Sequence, residues 1–494
     1  MTMQWDEMSH LYGGLLLFRG QSNTYMTMYG YYPPLYDVLT TGFFQVLGIS
    51  SASGRLTAVI FSLLSIWLTF EFASRFCGPK VALSSAVILG LMPGFFWLSR
   101  VAMLETMLIF FFTLTMFFFS TWLSKNRNKA LYLSGLALGI GFLAKYQILV
   151  ALIVMIVVLI WLCKKNLKRR FKKFPLVPLI AILVVMPWFM MLYQANGAEN
   201  FGTLFYVIQE GGQDRAEYSS RFPAPLFYLI EMTWPFNDIP VHPVSLPLYV
   251  LGLLGLVFFV WRRKPADKFL LVWFVVVYVF FTFVPNKHWR YITPVFTVLA
   301  ISAASLIIFL CNKISIWKPK HVRSIGYKKI ATALLIVIAG AAAVYSSYAA
   351  YQMTVRDQFH IPIEETTNYL ASHMSDNESA VIVCAFNLFN QDMFRFYLPA
   401  NMSTDQIWQY PQLPVDSFTP NFDIAEFINL CELRNVRYLI LYDYGAYSTF
   451  FNTTLTYTNV KYLLSTSGRF GYTGDEPFFG DIPHRTFLVG FHQS

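Results

Sequence analysis

Three short clusters bring chemically useful side chains together in an otherwise apolar chain. Trp5-Asp6-Glu7, followed by His10 and by Tyr31-Tyr32-Pro33-Pro34-Leu35, sets two adjacent carboxylates near the start. A carboxylate there could take the proton of an attacking hydroxyl or amine. A solvated segment with an interfacial tyrosine turn has the same composition. The second cluster runs from Ser99-Arg100 to Glu105, where Arg100 could orient a carboxylate or simply mark a helix end. The third, Pro285-Asn286-Lys287-His288-Trp289-Arg290-Tyr291, is a tight cationic turn. Lysine and arginine bind phosphate oxygens, arginine through two parallel hydrogen bonds. Such a turn could hold a phosphate at headgroup depth or anchor to anionic lipid. Lys145-Tyr146 could add a second phosphate contact, or Lys145 could snorkel to the interface.

The elements that carry these residues read as membrane helices. The chain of 494 residues is 56% hydrophobic with only 13% charged side chains, against about 25% in soluble domains. Apolar runs long enough to cross a bilayer recur at 54–73, 81–97, 105–123, 130–145, 147–163, 175–193, 246–262, 268–284, 291–311 and 330–349. Pro34–Gly48 is shorter and contains Asp37, which reads as an interfacial helix. The net charge of +10 has a distribution that excludes nucleic acid: 22 of the 37 Lys and Arg lie in five segments, 74–80, 124–129, 163–173, 262–268 and 312–329. Placing all five in the cytoplasm satisfies the positive-inside rule. All three clusters and Lys145 then fall on the outer side, with outer loops at 1–53 and 194–245. Met1 is also expected outside, and the topology leaves room for a further span ahead of it.

The long loop 194–245 is rich in charge, from Glu199 to His242, and is expected to include a short helix along the membrane. The tail from 351 to 494 is more polar. Ser379–Ala385 and Arg437–Tyr442 read as strands and Ile424–Leu433 as an amphipathic helix, which predicts a soluble extracytoplasmic α/β domain. The five cysteines have no metal-ligand spacing, and Cys384 and Cys431 could pair or stay free. No P-loop, dinucleotide fingerprint or G-x-S-x-G is present.

In this order and on one side, the clusters resemble the GT-C membrane glycosyltransferases, specifically the superfamily of protein O-mannosyltransferases and lipid A aminoarabinose transferases. The residues that carry the resemblance are Asp6-Glu7, Tyr32-Pro33-Pro34-Leu35, Arg55-Leu56, Arg100 with Glu105, Leu143-Ala144-Lys145-Tyr146, Pro187-Trp188, and Lys287 with Arg290-Tyr291 and Pro294. It covers about residues 1–311. The resemblance implies an α-helical polytopic membrane domain over 1–350 with the soluble domain after it. It implies sugar transfer, with inversion, from a polyprenyl- or dolichyl-phosphate to a glycan, lipid or protein acceptor on the outer face of the plasma or inner membrane. By carry-over Asp6, Glu7 and Glu105 are the catalytic carboxylates, Lys287, Arg290, His288 and Lys145 bind the donor phosphate, and Arg100, Tyr32 and Tyr291 support them. Tyr32 stands where aminoarabinose transferases carry a lysine, which argues against that donor and against lipid A. No cofactor is implied with certainty; some relatives use a divalent metal ion. Two other readings stay open, a transporter or flippase for lipid-linked glycan and a catalytically silent relative that binds one.

Overall fold

The structure, a computed structural model, describes residues 5–163, 167–197, 220–234, 242–316, 324–356, 362–383, 390–399, 402–410, 424–443, 470–471, 478–479 and 485–491. The chain separates into two compact units, one of Leu16–Val355 and one of Met1–Leu15 with Arg356–Ser494.

The described residues of Leu16–Val355 form helices and the turns between them, with no strand. Among the described residues, five helices are long and apolar enough to cross a membrane: Ser51–Cys77, Glu105–Lys125, Leu167–Ala195, Pro265–Phe283 and Val295–Lys313. Four shorter apolar helices, Pro79–Gly90, Asn128–Ala144, Tyr146–Leu162 and Leu246–Arg262, lie between them in sequence. Ser324–Arg356 is one further helix, over the run expected at 330–349. Leu35–Leu47 forms the short helix expected after Pro34, with Asp37 in its first turn.

These helices are inside out relative to those of a soluble bundle. Ser51–Cys77 buries Ser53, Thr57, Ser62, Ser65 and Thr69 while Leu63 and Trp67 point outward. Such a helix would aggregate in water but suits lipid, where small and hydroxyl side chains line helix contacts. Ser65 Oγ donates to its own Phe61 carbonyl, and Thr113 and Thr297 hydroxyls meet at 3.2 Å across two helices. Gly135 and Gly139 let Asn128–Ala144 lie directly on Leu176–Asn196. A Cβ on Gly139 would stand 2.8 Å from Val184 Cβ and 3.0 Å from Ala181 Cα. The start of Ser51–Cys77 is set by a capping box, in which the Ser50 and Ser53 side chains each accept the other's backbone N–H at 3.1 Å.

Two of the expected spans are interrupted or start late. The run 81–97 is not one helix but two, Pro79–Gly90 and Pro93–Leu98, because Pro93 lacks an amide hydrogen and forces Met92 into an extended conformation (φ −69°, ψ 119°). The run 291–311 begins later, at Val295, after a single 3-10 turn over Trp289–Ile292.

In the other unit, residues 379–491 contribute a six-stranded sheet in the order β2-β1-β3-β6-β4, with β5 also paired to β6. β1 (Ser379–Val383), β2 (Ile407–Tyr410) and β3 (Val436–Asp443) are parallel; β6 (Arg485–Phe491) is antiparallel to β3, to β4 (Phe470–Gly471) and to β5 (Phe478–Phe479). All of β1, an inner parallel strand, is buried, and so is all of β2 at the edge of the sheet. Val381, Trp408, Phe427, Cys431 and Leu439 form the core between the sheet and the helix Ile424–Leu433. Cys431 is a free thiol, lifted by burial to about 12, and Cys384 lies outside the described residues.

Candidate active site

The helices Glu105–Lys125 and Asn128–Ala144 form an antiparallel hairpin whose turn passes through Asn126 in the left-handed conformation (φ 52°). Its register is pinned where the Ser134 hydroxyl donates to the Thr115 carbonyl at 3.1 Å, ten residues past Glu105 and eleven before Lys145. The hairpin therefore brings the first residue of one helix beside the residue that follows the other. Lys145 leaves its helix in extended backbone (φ −161°, ψ 128°), and its Nζ donates to Glu105 Oε1 at 2.7 Å. The Glu105 side chain is 3% exposed.

Arg290 reaches the same carboxylate oxygen from the third cluster, its Nη1 at 3.7 Å, and its Nη1 also lies 3.3 Å from Met103 Sδ. His288 aims it. The imidazole Nδ1 accepts from the Arg290 backbone N–H at 3.1 Å and from its Nε–H at 3.3 Å. A ring nitrogen that accepts carries no proton, so His288 is neutral here. Burial pushes the imidazole well below its usual range, and the charges of Arg290 and Lys145 push the same way. The neighbouring Trp289 is buried and packs on Trp97 with ring centroids 6.1 Å apart. Trp97 belongs to Pro93–Leu98, the short helix produced by the proline break.

Other predicted residues lie around this trio or away from it. Lys287 is 6% exposed and its Nζ donates to the Val284 and Pro285 carbonyls at 2.8 and 3.2 Å, within its own turn. Tyr291 packs near His288, with centroids 6.0 Å apart. Arg100 turns to Thr354, whose hydroxyl it meets with Nη1, and lies over the Phe96 ring. Tyr32 packs on Tyr31, whose carbonyl accepts from the Tyr146 hydroxyl at 2.9 Å, so the Tyr-Tyr-Pro-Pro segment is fastened next to Lys145. Glu7 and His10 are buried on the helix Trp5–Phe18, within the other unit. Asp6 is on the same helix, and its side chain lies outside what the structure describes. Of the charged long-loop residues, Glu199, Glu210, Asp214, Arg215, Glu217 and Asp238 lie outside the described residues. The short helix expected there is present as Ala224–Glu231.

The structure also shows a buried pair not named as a site from sequence. Tyr25 donates to the Asp37 carboxylate at 2.8 Å, and both residues are fully buried. Burial, and then Asp37 itself, hold the Tyr25 phenol well above its usual range, so it stays a donor. The signal available in sequence was Asp37 inside an apolar segment; Tyr25 had none. Among the described residues no three His, Cys, Asp or Glu converge as a metal site, and Glu105 is engaged by cations.

The fold of this chain recurs in solved structures. Over 98% of its length the chain matches the crystal structure of ArnT from Cupriavidus metallidurans bound to undecaprenyl phosphate, with a TM-score of 0.62, 93% of that chain covered and 15% identity. The fold is GT-C. A second neighbour is the archaeal oligosaccharyltransferase AglB from Archaeoglobus fulgidus, in complex with an inhibitory peptide and a dolichol-phosphate. Its TM-score is 0.56 at 12% identity, covering 94% of this chain and 66% of that one. Residues 32–191 match the family model for dolichyl-phosphate-mannose-protein mannosyltransferase. In sequence, the undecaprenyl phosphate-alpha-4-amino-4-deoxy-L-arabinose arabinosyl transferase of Pectobacterium atrosepticum is 28% identical over 269 residues, 53% of this chain and 46% of the relative. That of Yersinia pestis is 30% identical over 254 residues, 50% of this chain and 44% of the relative. The chain spans about half the length of these sequence relatives. The resemblance read from the sequence is real: this is a multi-pass membrane protein of GT-C fold that shares sequence with the mannosyltransferase and aminoarabinose transferase superfamily.

Proposed function

We propose that the chain transfers a sugar from a polyprenyl- or dolichyl-phosphate donor to a glycan, lipid or protein acceptor, with inversion, on the extracytoplasmic face of the cell membrane. The observation that carries this reading is the meeting of Lys145 and Arg290, two cations from separate turns, at one end of a GT-C helical unit. One neighbour of that fold is a complex with undecaprenyl phosphate and another a complex with a dolichol-phosphate.

In this reading the acceptor oxygen attacks the anomeric carbon while the bond from that carbon to the phosphate oxygen breaks, its electron pair leaving with the lipid phosphate. Lys145 and Arg290 stabilise the charge that grows on the leaving oxygen. Electrostatic groups aimed at developing charge supply the largest share by which such barriers are lowered. Neutral His288 keeps the guanidinium turned toward the phosphate, and Lys287 holds the turn itself. The acceptor proton goes to Asp6, with Glu7 beside it, a role that rests on the sequence resemblance. The lipid phosphate already carries the activation, so no nucleotide enters this step. Residues 351–494 form the soluble domain beyond the outer face.

The test is transfer by the purified full chain from undecaprenyl-phosphate sugars, followed by mass spectrometry of cell-envelope glycans with and without the gene. Asp6→Asn is expected to abolish transfer while the protein still inserts and elutes as wild type. Normal transfer by that variant removes Asp6 as the base. Binding of the lipid without any transfer by wild type favours the silent relative instead.

A further inference from the structure

Resting on that reading, the geometry around Glu105 points to a step after the chemistry. We propose that Glu105 is a positioning residue, an internal anion that competes with the product lipid phosphate for Lys145 and Arg290 and so drives product release. Donor and product differ in charge. The donor phosphate, esterified on both sides, carries one negative charge. The product is a monoester, and with a second pKa of about 6 it carries roughly −1.5 to −2 near neutral pH. Two cations that bind the donor therefore hold the product more strongly, and turnover needs something to pull them off it.

Glu105 is built for that exchange. Its carboxylate oxygen sits 2.7 Å from Lys145 Nζ and 3.7 Å from Arg290 Nη1, close enough to take both back. It is nearly fully buried, so water screens the competition little. It also occupies the first turn of Glu105–Lys125, where Leu104 provides no side-chain cap. The helix N-terminus favours a negative charge there, so the carboxylate stays supported while its cations are lent to a phosphate. Because His288 is neutral, Glu105, Lys145 and Arg290 together carry a net charge of one positive unit, which matches the donor and not the product.

The experiment measures binding of undecaprenyl phosphate to the purified full chain in detergent, with the rates of the first and of later turnovers. Glu105→Gln keeps the side chain's size and removes its charge. It is expected to bind undecaprenyl phosphate about tenfold more tightly, on the scale of one partly screened charge pair. Product inhibition rises with it, and a burst appears in which the first turnover outruns the steady state. Glu105→Asp, with its carboxylate drawn back by one methylene, is expected to tighten binding about threefold by the same logic. It supplies the answer if the glutamine variant fails to fold. Unchanged or weaker binding in the folded variants overturns the proposal. So does a first turnover that slows as much as the steady state, the signature of a proton-accepting Glu105. Failure of the wild type to bind undecaprenyl phosphate at all overturns instead the transferase reading on which it rests.

Discussion

The helix Pro265–Phe283 has a charged group in its first turn and another beyond its last, and the two are made differently. At its start, Asp267 is fully buried, accepts from the Lys264 backbone N–H at 2.9 Å and pairs with Arg262, five residues before it, at 2.5 Å. Arg262 lies over the Phe258 and Phe259 rings of the preceding helix. Among the described residues every hydrogen-bond partner of the pair is local, so the group closes a helix-to-helix turn. Beyond the other end, Arg290 meets Glu105 and Met103, nearly two hundred residues earlier, with Lys145 on the same carboxylate. A local pair is what stability asks for. Cations collected from distant turns onto one nearly buried carboxylate are costly to assemble and unnecessary for closing any turn. The contrast sets a charge pair closed within its own turn against one gathered from distant turns, and the second is the one the proposed function uses.

Substitutions can break that contrast. The largest effect is expected from Arg290→Ala, which should lower kcat/KM for the lipid-phosphate donor by about 100-fold or more. Its melting temperature should stay close to wild type. An activity loss matched by a loss of folded protein would make the Glu105 cluster structural after all. Asp267→Ala should do the opposite, destabilising the protein by about 3 kcal/mol through the stranded Arg262 and the lost cap, with kcat/KM of the remaining folded protein near wild type. Chemical denaturation in detergent would check it.

A smaller effect concerns His288. Its folded pKa is depressed, so below the ordinary imidazole value of about 6.5 the unfolded chain takes up a proton that the folded chain refuses. The contribution of this group to stability is therefore complete above that pH and declines as the pH falls through it. His288→Gln should flatten the fall in melting temperature between roughly pH 6.5 and pH 5; an unchanged slope would mean other groups set it. The smallest effect is expected in the tail, where Arg437 pairs with Glu378 at 3.0 Å but its side chain is 47% exposed. Burial raises the Glu378 carboxyl, but the hydrogen bonds from the Ser375 backbone and Arg437 outweigh it and leave it below its usual range. Solvent screening limits such a pair, and Arg437→Ala should cost no more than about 0.5 kcal/mol.

Legibility from sequence followed the range of the interactions. The tail helix Ile424–Leu433 appears with its expected ends, and the strand expected at Arg437–Tyr442 is β3, Val436–Asp443, because alternation and amphipathic spacing are short-range signals. Hydropathy located the apolar runs for the same reason. It missed the break at Met92–Pro93, since a proline costs a helix its hydrogen bonds without changing its hydropathy. In the site, Glu105, Lys145 and Arg290 were recognisable as charges where charge is scarce. Their partnership was not: Arg100, which could have oriented a carboxylate, turns to Thr354.

The amino-acid sequence by itself determined that this protein lies in a membrane and which few residues could handle an anion. Both follow from composition and from the cost of burying charge, which any segment carries with it. Only the tertiary structure decided that Lys145 and Arg290 share Glu105, that His288 is neutral, and that Asp37 is held by Tyr25. Those facts depend on helix register and on backbone turns far apart in the chain. Electrostatic pairing acts over a few ångströms of space, and separation along the chain carries almost no information about it.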